Sequence, residues 1–419
     1  MGDLRRELWW LGRDGAALVI LALAALLAVL AVTLGTQEVQ LQREHIAALR
    51  SDDARERAAS LEAHAEDPGS VAYYSFHLTY SPPSPLAFAA LGTRATHPWQ
   101  HRVRMLAIEG QIYETDPGNP ELVETGRLDY AFVAAIVLPL LVIGLLHDLF
   151  ARERRHGRLE WLLATARDGL GVFRRRALVR AGLLWIALGV PLVGGAVING
   201  TPLTPTLGVL GWVGVHIAFW ALVCWFVARR VDPAATVATV LVGLWALTVI
   251  CLPPVGALIG ERAVSVPSGG ALLLAQREKV NDAWDLPKDA TMTPFLEQHP
   301  EWTDFAQVER PFEWKWYYAF QQVGDQAVAD DSQALRTALR KRDRIMAGIA
   351  LLSPPLLVER GLERLALTNV DGYLRYELCV RDFHADLREH YYPALFREAP
   401  RGPTPNYTPC DTLPQEPPA

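Results

Sequence analysis

The sequence predicts a mainly α-helical membrane protein in which five apolar helices form a polytopic bundle. Three observations support this fold class: long stretches without a charged residue, turn residues that interrupt the longest of them, and arginines concentrated in the loops of one side. Two long polar segments, α-rich or α+β, are expected to pack together outside the membrane. The stretches that lack Asp, Glu, Lys and Arg are Gly15–Gln37, Tyr130–Leu146, Ala181–Ala228 and Pro233–Gly260.

These stretches are long enough for membrane spans, because a helix needs about 20 apolar residues to cross roughly 30 Å of hydrocarbon. The longest accommodates two spans, which the turn residues of Asn199–Thr206 separate. The first apolar run exceeds the core of a cleaved signal peptide, about 7–15 residues, so we interpret it as a retained anchor. The predicted spans are residues 15–35, 129–147, 177–198, 206–228 and 234–258.

Arginines in short loops predict the orientation, because cytoplasmic loops carry the excess of positive charge. The loop of residues 148–176 contains eight arginines, residues 1–14 contain three, and the turn of residues 229–233 contains two. The turn between the third and fourth spans contains none. These three arginine-containing segments are therefore predicted to be cytoplasmic, which places residues 36–128 and 259–419 on the outer side.

The first outer segment is expected to begin with a helical stalk, because Glu38–Asp67 is rich in Ala, Leu, Glu and Arg and lacks Pro and Gly. Aromatic residues among turn residues then predict short strands or extended chain, and the sequence RVRMLAIEGQIYET fits either a strand pair or a helix.

In the second outer segment, residues 302–347 predict helix, which stops at Ser353–Pro355. Two amphipathic helices follow, with a turn near TNVDG. Ile345–Val358 is interpreted as interfacial or buried, because it is too short for a span.

The four cysteines fall into two pairs. Cys224 and Cys251 lie within predicted spans and are expected to be buried apolar side chains. Cys379 and Cys410 lie in the second outer segment, where a disulfide can persist. Their pairing stays open, because sequence does not give the distance between them.

The sequence contains no phosphate loop, no dinucleotide-binding glycine motif, and none of the CxxC, HExxH and GxSxG motifs. We therefore expect no catalytic residue, metal site or cofactor in this chain, and no nucleic-acid partner. His384, Asp386, Glu389 and His390 could bind a metal, but we interpret them as the solvated face of an amphipathic helix. His216, in the middle of the fourth span, is either a functional polar site within the membrane or a neutral side chain hydrogen-bonded to a neighbouring helix.

The loop Asp148–Ala166 carries the most informative pattern, because its apolar residues recur at helical spacing. Its predicted apolar face comprises Leu159, Leu162, Leu163 and Ala166, and the charged side chains away from that face are Arg154, Arg155 and Arg158. A single helix of this kind is expected to lie parallel to the membrane. The alternative is a charge cluster that only sets topology, which requires fewer residues than this loop contains.

The sequence HDLFARERRHGRLEWLLATARDG resembles the first cytoplasmic loop of ABC-2 type exporter permeases, in which an Asp, a Glu-Arg pair and a Gly precede a leucine-rich stretch. The matching residues are Asp148, Glu153, Arg154, Gly157, Leu159, Leu162 and Leu163. Arg158 departs from the pattern, since the family usually has a threonine after the glycine. A permease subgroup with two outer segments is also similar at DPGSVAYY, at SPPSPLAF, at Asn119–Gly157, and at Leu351–Phe396, where an LSP motif precedes a long helix.

The resemblance implies that the loop is a coupling helix that docks on a separate ATP-hydrolysing subunit. The implied partners are two ABC ATPase subunits, which bind ATP and Mg, a second copy of this chain or a related permease, the lipid bilayer, and an extracytoplasmic protein. The implied location is a bacterial inner membrane with periplasmic outer segments. Such permeases normally end with a sixth span, which either follows Ala419 or is absent from a divergent chain. The residues expected to contact the ATPase are Asp148, Arg152, Glu153, Arg154, Gly157, Arg158 and Glu160.

The sequence therefore leads us to expect the permease subunit of an ATP-driven ABC-2 type exporter, which is not itself an enzyme. The alternative is a non-transporting membrane anchor for an extracytoplasmic scaffold or sensor domain. This alternative needs neither an ATPase-docking loop nor a dimer of spans, so association with a phosphate-loop ATPase distinguishes the two.

Overall fold

The computed structural model describes residues 3–114, 128–165 and 169–410, and these residues are mostly helical. Their elements surround two large hydrophobic cores, one mainly aliphatic and one rich in aromatic side chains. We call the helices around the aliphatic core the bundle, and the elements around the aromatic core the head.

The bundle contains five helices that are long and apolar enough to cross a membrane, which agrees with the predicted number. Two of them contain a π-helical turn. The five helices are α2 (Gly15–Ala63), α5 (Tyr130–Phe132, π turn Val133–Val137, Leu138–Leu146), α8 (Gly169–Ile198), α9 (Leu203–Arg230) and α10 (Ala234–Ala246, π turn Leu247–Cys251, Leu252–Ala263). The shorter helices at one end of the bundle are α1 (Asp3–Leu11), α6 (Ala151–Arg155) and α7 (Leu159–Thr165).

The head is built from helices and one two-stranded sheet among the described residues. Its elements are α3 (Pro68–Tyr74), β1 (His77–Tyr80), β2 (Gln100–Val103), α4 (Ile108–Tyr113), α11 (Gly269–Asp285), α12 (Lys288–Gln298), α13 (Trp314–Ala327), α14 (Ala329–Ala350) and α16 (Val370–Arg397), with 3-10 turns at Gly92–Ala95 and Pro300–Phe305. Another helix, α15 (Pro354–Ala366), packs on the bundle instead.

Two glycines allow the loop between β1 and β2 to enter the bundle. A Cβ atom on Gly35 of α2 would lie 2.0 Å from the carbonyl oxygen of Phe88, and one on Gly195 of α8 would lie 2.6 Å from the Phe88 ring. Phe88 is fully buried as a result. Close approach of this kind is the ordinary use of small residues where helices pack within membranes.

The predicted stalk is the second half of α2, which continues without interruption from the first apolar run to Ala63. At 1.5 Å per residue, a helix of 49 residues is roughly 70 Å long, which is more than twice the thickness of a bilayer core, roughly 30 Å. The stalk holds the head through Asp53, whose carboxylate accepts a hydrogen bond of 2.8 Å from the backbone N–H of Leu78 in β1.

The sequence RVRMLAIEGQIYET, for which both a strand pair and a helix were predicted as alternatives, contains the end of a strand and a helix. β1 pairs with β2 in antiparallel register, His77 opposite Val103. The chain then turns at Arg104–Ala107 and forms α4. The RVRMLAIEGQIYET sequence therefore begins at the end of a strand and continues into a helix, instead of adopting one structure throughout.

The LSP motif begins the helix that connects the head to the bundle. Ser353 is the N-cap of α15, where its hydroxyl accepts from the N–H of Leu356 at 3.4 Å. A Cβ on Gly361 would lie 2.6 Å from the Trp212 ring of α9, which shows how closely α15 packs on this helix. The apolar stretch predicted to be interfacial or buried is divided between α14 and α15. Leu351 and Leu352 at its centre are exposed, whereas Val358 is buried.

Candidate functional site

The predicted coupling helix consists of two short helices joined by a turn. We call Asp148–Thr165, which includes α6 and α7, the elbow. The prediction of one continuous helix is wrong, because Gly157 adopts a left-handed conformation with φ of +66°. Glycine adopts this conformation freely, whereas other L-residues lose about 1–2 kcal/mol in it. Ala166, the predicted end of the helix, lies outside the described residues.

Glu153 fixes the angle of the elbow from the inside. Its side chain is buried, and its carboxylate accepts a hydrogen bond from Arg158 Nε at 2.9 Å and another from Arg176 Nη1 at 3.4 Å. The backbone N–H of Arg158 also donates to the Glu153 carbonyl at 3.0 Å. Arg158, the departure from the family's pattern, therefore closes the turn around Gly157.

Ion pairs attach the elbow to three of the long helices. Arg152 pairs with Asp14, the N-cap of α2, at 3.0 Å, and Arg154 pairs with Asp232, just before α10, at 3.4 Å. Arg180 of α8 pairs with the same Asp14 at 2.7 Å and lies 3.9 Å from Asp148. The elbow also follows α5 directly along the chain. Displacing the elbow would therefore pull on the ends of α2, α5, α8 and α10.

Aromatic packing reinforces this attachment at the start of the elbow. The ring of Phe150 stacks on Phe173 of α8 with centroids 4.6 Å apart, and contacts Trp225 of α9 edge-on at 5.0 Å. Phe150 and Phe173 are fully buried. The first residues of the elbow thus form part of the bundle core.

The outward face of the elbow combines exposed apolar and charged side chains. Trp161 is 64% exposed, and Leu163, Arg155 and Glu160 are exposed beside it in sequence. The predicted apolar stripe is only partly correct, since Leu159 is buried and Leu162 half-buried, but Leu163 points outward. Our interpretation of the sequence missed Trp161. A tryptophan within a charged loop was the signal available.

His216 is engaged on both sides of its ring. Nδ1 lies 3.0 Å from the carbonyl oxygen of Ala134, and Nε2 accepts a hydrogen bond of 2.9 Å from the indole N–H of Trp220. A neutral ring with its proton on Nδ1 satisfies both contacts. Of the two interpretations left open by the sequence, the geometry matches the hydrogen-bonded structural histidine.

The carbonyl group that His216 binds belongs to the π turn of α5. A second carbonyl of that turn, at Ile136, accepts a hydrogen bond of 2.9 Å from the indole N–H of Trp245 in α10. In the π turn of α10, the Thr248 carbonyl accepts from the Ser353 hydroxyl at 2.7 Å. Each π turn is therefore held by side chains from other helices. Such turns often occur at functional positions of helices.

The other predicted candidates have mixed outcomes. Cys379 and Cys410 form a disulfide, which joins α16 to the chain that follows it. Cys224 is buried as expected, but Cys251 is exposed because it faces outward from the π turn of α10.

His384 is buried and not solvated, since its ring points into the head and contacts the carbonyl of Arg104 at 3.1 Å. The described residues contain no group of three or more side chains that could hold a metal ion.

Comparison with known proteins adds one partial match. Residues 271–404 match a family described as a domain of unknown function, DUF3526. This segment comprises most of the later head elements and α15, and it includes neither the elbow nor the five long helices. No curated protein and no solved structure matches the chain.

Proposed function

We propose that this chain is the permease subunit of an ATP-driven exporter of ABC-2 type, in which a separate subunit binds and hydrolyses ATP. The observation that carries the proposal is the elbow, a compact structure that is attached to all five long helices by ion pairs, chain continuity or aromatic packing and that exposes a tryptophan on its outward face. The resemblance of its sequence to the coupling loop of such permeases supports the same function. The chain works with two ATPase subunits and a second permease, either another copy or a related chain.

The elbow has the properties of a lever. Its two helices are locked at a fixed angle by Glu153 and Arg158, and its ion pairs lead to the ends of α2, α8 and α10. A force applied at Trp161 therefore reaches several spans at once, instead of being absorbed in a flexible loop. This is what coupling between a nucleotide-driven motor and a membrane bundle requires.

The two π turns offer positions at which the spans can adjust. Each has carbonyl groups bonded to side chains of other helices, and one of these side chains, Ser353, begins the helix that leads to the head. Changes in the angle of α10 would therefore be accompanied by movement of α15. We propose that this connection transmits the conformational changes driven by the ATPase to the head.

The distribution of arginines and the disulfide support an orientation with the elbow in the cytoplasm and the head outside. Positively charged loops favour the cytoplasmic side, and the elbow and its flanking loop hold eight arginines. A disulfide persists in oxidising compartments, and Cys379–Cys410 lies in the head. We propose that the head meets the cargo or an extracytoplasmic protein.

The proposal is tested by purifying the full chain from its native membrane and identifying phosphate-loop ATPases that accompany it. Leu163→Glu and Trp161→Glu place a charge on the outward face of the elbow. Loss of a central contact worth about 2 kcal/mol would reduce the recovered ATPase roughly thirtyfold. Leu61→Glu is the matched control, because Leu61 on the stalk is exposed to a similar extent as Leu163, 39% against 43%. Equal ATPase recovery from all variants would exclude docking on this face.

Glu153 is unsuitable for this experiment, although the sequence suggested it as a contact. Because its buried carboxylate binds Arg158 and Arg176, a substitution there would disturb the elbow itself. Trp161 and Leu163 report on docking with less effect on folding.

A second candidate function is a membrane anchor for the head as a scaffold or sensor. The observation in its favour is that the match to a known family covers later parts of the head but none of the elbow. Under this function the chain would purify without any phosphate-loop ATPase, and charge substitutions on the elbow would leave its complexes unchanged.

A further inference from the structure

A basic hollow lies beside the elbow, between α1, the start of α2 and the first turns of α8. Its volume is about 670 Å³. Three acidic side chains, Glu7, Asp14 and Glu153, line it together with six arginines. The arginines are Arg6, Arg13, Arg152, Arg158, Arg176 and Arg180. Six positive and three negative charges leave an excess of three positive charges around the hollow, so its lining favours an anion.

The acidic side chains are already shared among several arginines. Asp14 binds both Arg152 and Arg180, and Glu7 lies 3.5 Å from Arg176. Arg13 forms no ion pair with any described residue, and its guanidinium lies 3.4 Å from the centroid of the Trp9 ring. Arg13 therefore carries a positive charge that no described acidic side chain neutralises, whereas Arg176 and Arg180 each share their acidic neighbours with other arginines.

Arg180 provides an unused hydrogen-bond donor at the inner wall of this hollow. Its side chain is only 9% exposed, and its Nη2 donates to Asp14 at 2.7 Å. Its Nε is buried and has no hydrogen-bond partner among the described residues. A buried guanidinium N–H without an acceptor is unfavourable, and an oxygen of an anion in the hollow would supply one.

The rim of the hollow has the composition of a membrane interface. α1 exposes Leu8, Trp9 and Trp10 side by side, and Trp10 also lines the hollow. Tryptophan side chains concentrate at the level of the lipid headgroups. Since α1 directly precedes the first apolar helix, its exposed face is at the right height to meet the bilayer surface.

We propose that the basic hollow binds the phosphate of an anionic phospholipid, with Arg13, Arg176 and Arg180 as its ligands and with Trp9 and Trp10 against the glycerol and the first acyl carbons. Basic pockets between membrane helices recognise phosphate headgroups in this way. The site does not depend on an ATPase partner. A bound lipid would link α1, α8 and the elbow, all of which contribute to its walls.

The test uses the full chain in detergent, incubated with equal amounts of phosphatidylglycerol and phosphatidylcholine, followed by mass spectrometry of the intact protein with its retained lipid. We expect phosphatidylglycerol to be retained preferentially. Arg180→Gln and Arg13→Gln should each reduce this retention about fivefold, the change that corresponds to about 1 kcal/mol per basic side chain near a membrane surface. Arg229→Gln is the control, since Arg229 is exposed at the C-terminal end of α9 and does not line the hollow.

Arg13→Gln keeps the test valid if Arg180→Gln fails to fold, because Arg13 is exposed and forms no ion pair with a described residue. Equal retention of the two lipids by the wild-type chain would overturn the proposal. So would equal phosphatidylglycerol retention by R13Q, R180Q and R229Q. A parallel incubation with inorganic phosphate distinguishes a lipid headgroup from free phosphate as the source of the anion. If inorganic phosphate stabilises the folded chain while phosphatidylglycerol is not selectively retained, the hollow binds a soluble anion and the lipid proposal is wrong.

Discussion

The head and the bundle are stabilised by different kinds of polar contact. In the head, buried charges pair with one another: Arg381 binds Glu109 at 2.6 Å, and Arg388 binds Asp325. In the middle of the bundle, away from the ion pairs of the elbow, single neutral side chains such as His216 and Trp245 bind backbone carbonyls at a π turn. The head therefore depends on buried charge pairs, in which loss of one partner leaves the other unpaired. The middle of the bundle depends on packing and on a few neutral hydrogen bonds, whose loss costs less.

Acidification is expected to have the largest effect, and to act on the head. Burial lowers the pKa of His77 to about 3 and that of His101 to about 4, and burial together with the charge of Arg388 lowers the pKa of His384 well below its usual 6.5. The three rings stay neutral in the folded head, whereas the unfolded chain takes up protons below about pH 6.5. Each histidine therefore costs about 1.4 kcal/mol of stability per pH unit below that value. We expect the thermal midpoint of the head to fall steeply between pH 6.5 and pH 5.

Glu363 acts in the opposite direction and lies outside the head. Burial and the neighbouring Glu359 raise the pKa of Glu363 to about 8, so protonation favours the folded state of α15. Protonation of Glu363 therefore offsets the acid sensitivity that one of the three histidines contributes, about 1.4 kcal/mol per pH unit. His101→Gln should reduce the dependence of the head's stability on pH by about 1.4 kcal/mol per pH unit, which corresponds to one proton. A slope unchanged in the variant would contradict the assignment of His101 as a buried neutral group.

Arg381→Met is expected to destabilise the head by about 4 kcal/mol, because it leaves two buried carboxylates, Glu109 and Glu377, without their cation. Unfolding of the purified chain, followed by tryptophan fluorescence against denaturant, measures the loss. The double variant Arg381→Met with Glu109→Gln should recover part of it, since one of the unpaired charges is removed. If the double variant were less stable than the single one, the pair would not be the source of the effect.

His216→Phe is expected to cost about 1–2 kcal/mol, which is less than the loss of a charge pair in the head. The substitution leaves the Ala134 carbonyl and the Trp220 N–H without their partner, but polar contacts between membrane helices average well below the values for buried ions. The midpoint of thermal unfolding in detergent measures it. A loss as large as that of Arg381→Met would remove the distinction between the two regions.

Ser353→Ala is expected to have the smallest effect on stability, about 1 kcal/mol, because it removes one cap and one hydrogen bond to Thr248. The more informative measurement on this variant is the coupling between the bundle and the head. If α15 follows the π turn of α10, ATPase activity of the assembled complex should become less sensitive to cargo or to changes in the head. Ser332→Ala is the matched control, since Ser332 is a buried serine whose hydroxyl bonds Glu109 within the head.

The sequence allowed the bundle to be predicted more fully than the elbow. Charge-free stretches identify spans because hydrocarbon tolerates few charged side chains, so the five helices and the stalk could be predicted. The π turns could not, since they depend on bonds from His216, Trp245 and Ser353, whose partners are distant in sequence. The break at Gly157 was recognisable from the glycine alone. The roles of Asp14 and Arg180 required knowing which helix ends come together.

The most direct test of the central claim, that the elbow docks on an ATPase, is site-specific photo-crosslinking in the native membrane. A photoreactive amino acid replaces Glu160 on the outward face of α7, and in a parallel chain it replaces Arg230 at the end of α9; both are exposed. We expect position 160 to yield an adduct with a phosphate-loop ATPase, with a yield that changes on addition of ATP, and position 230 to yield much less. No ATPase adduct at position 160, or equal adducts at both positions, would contradict the proposal.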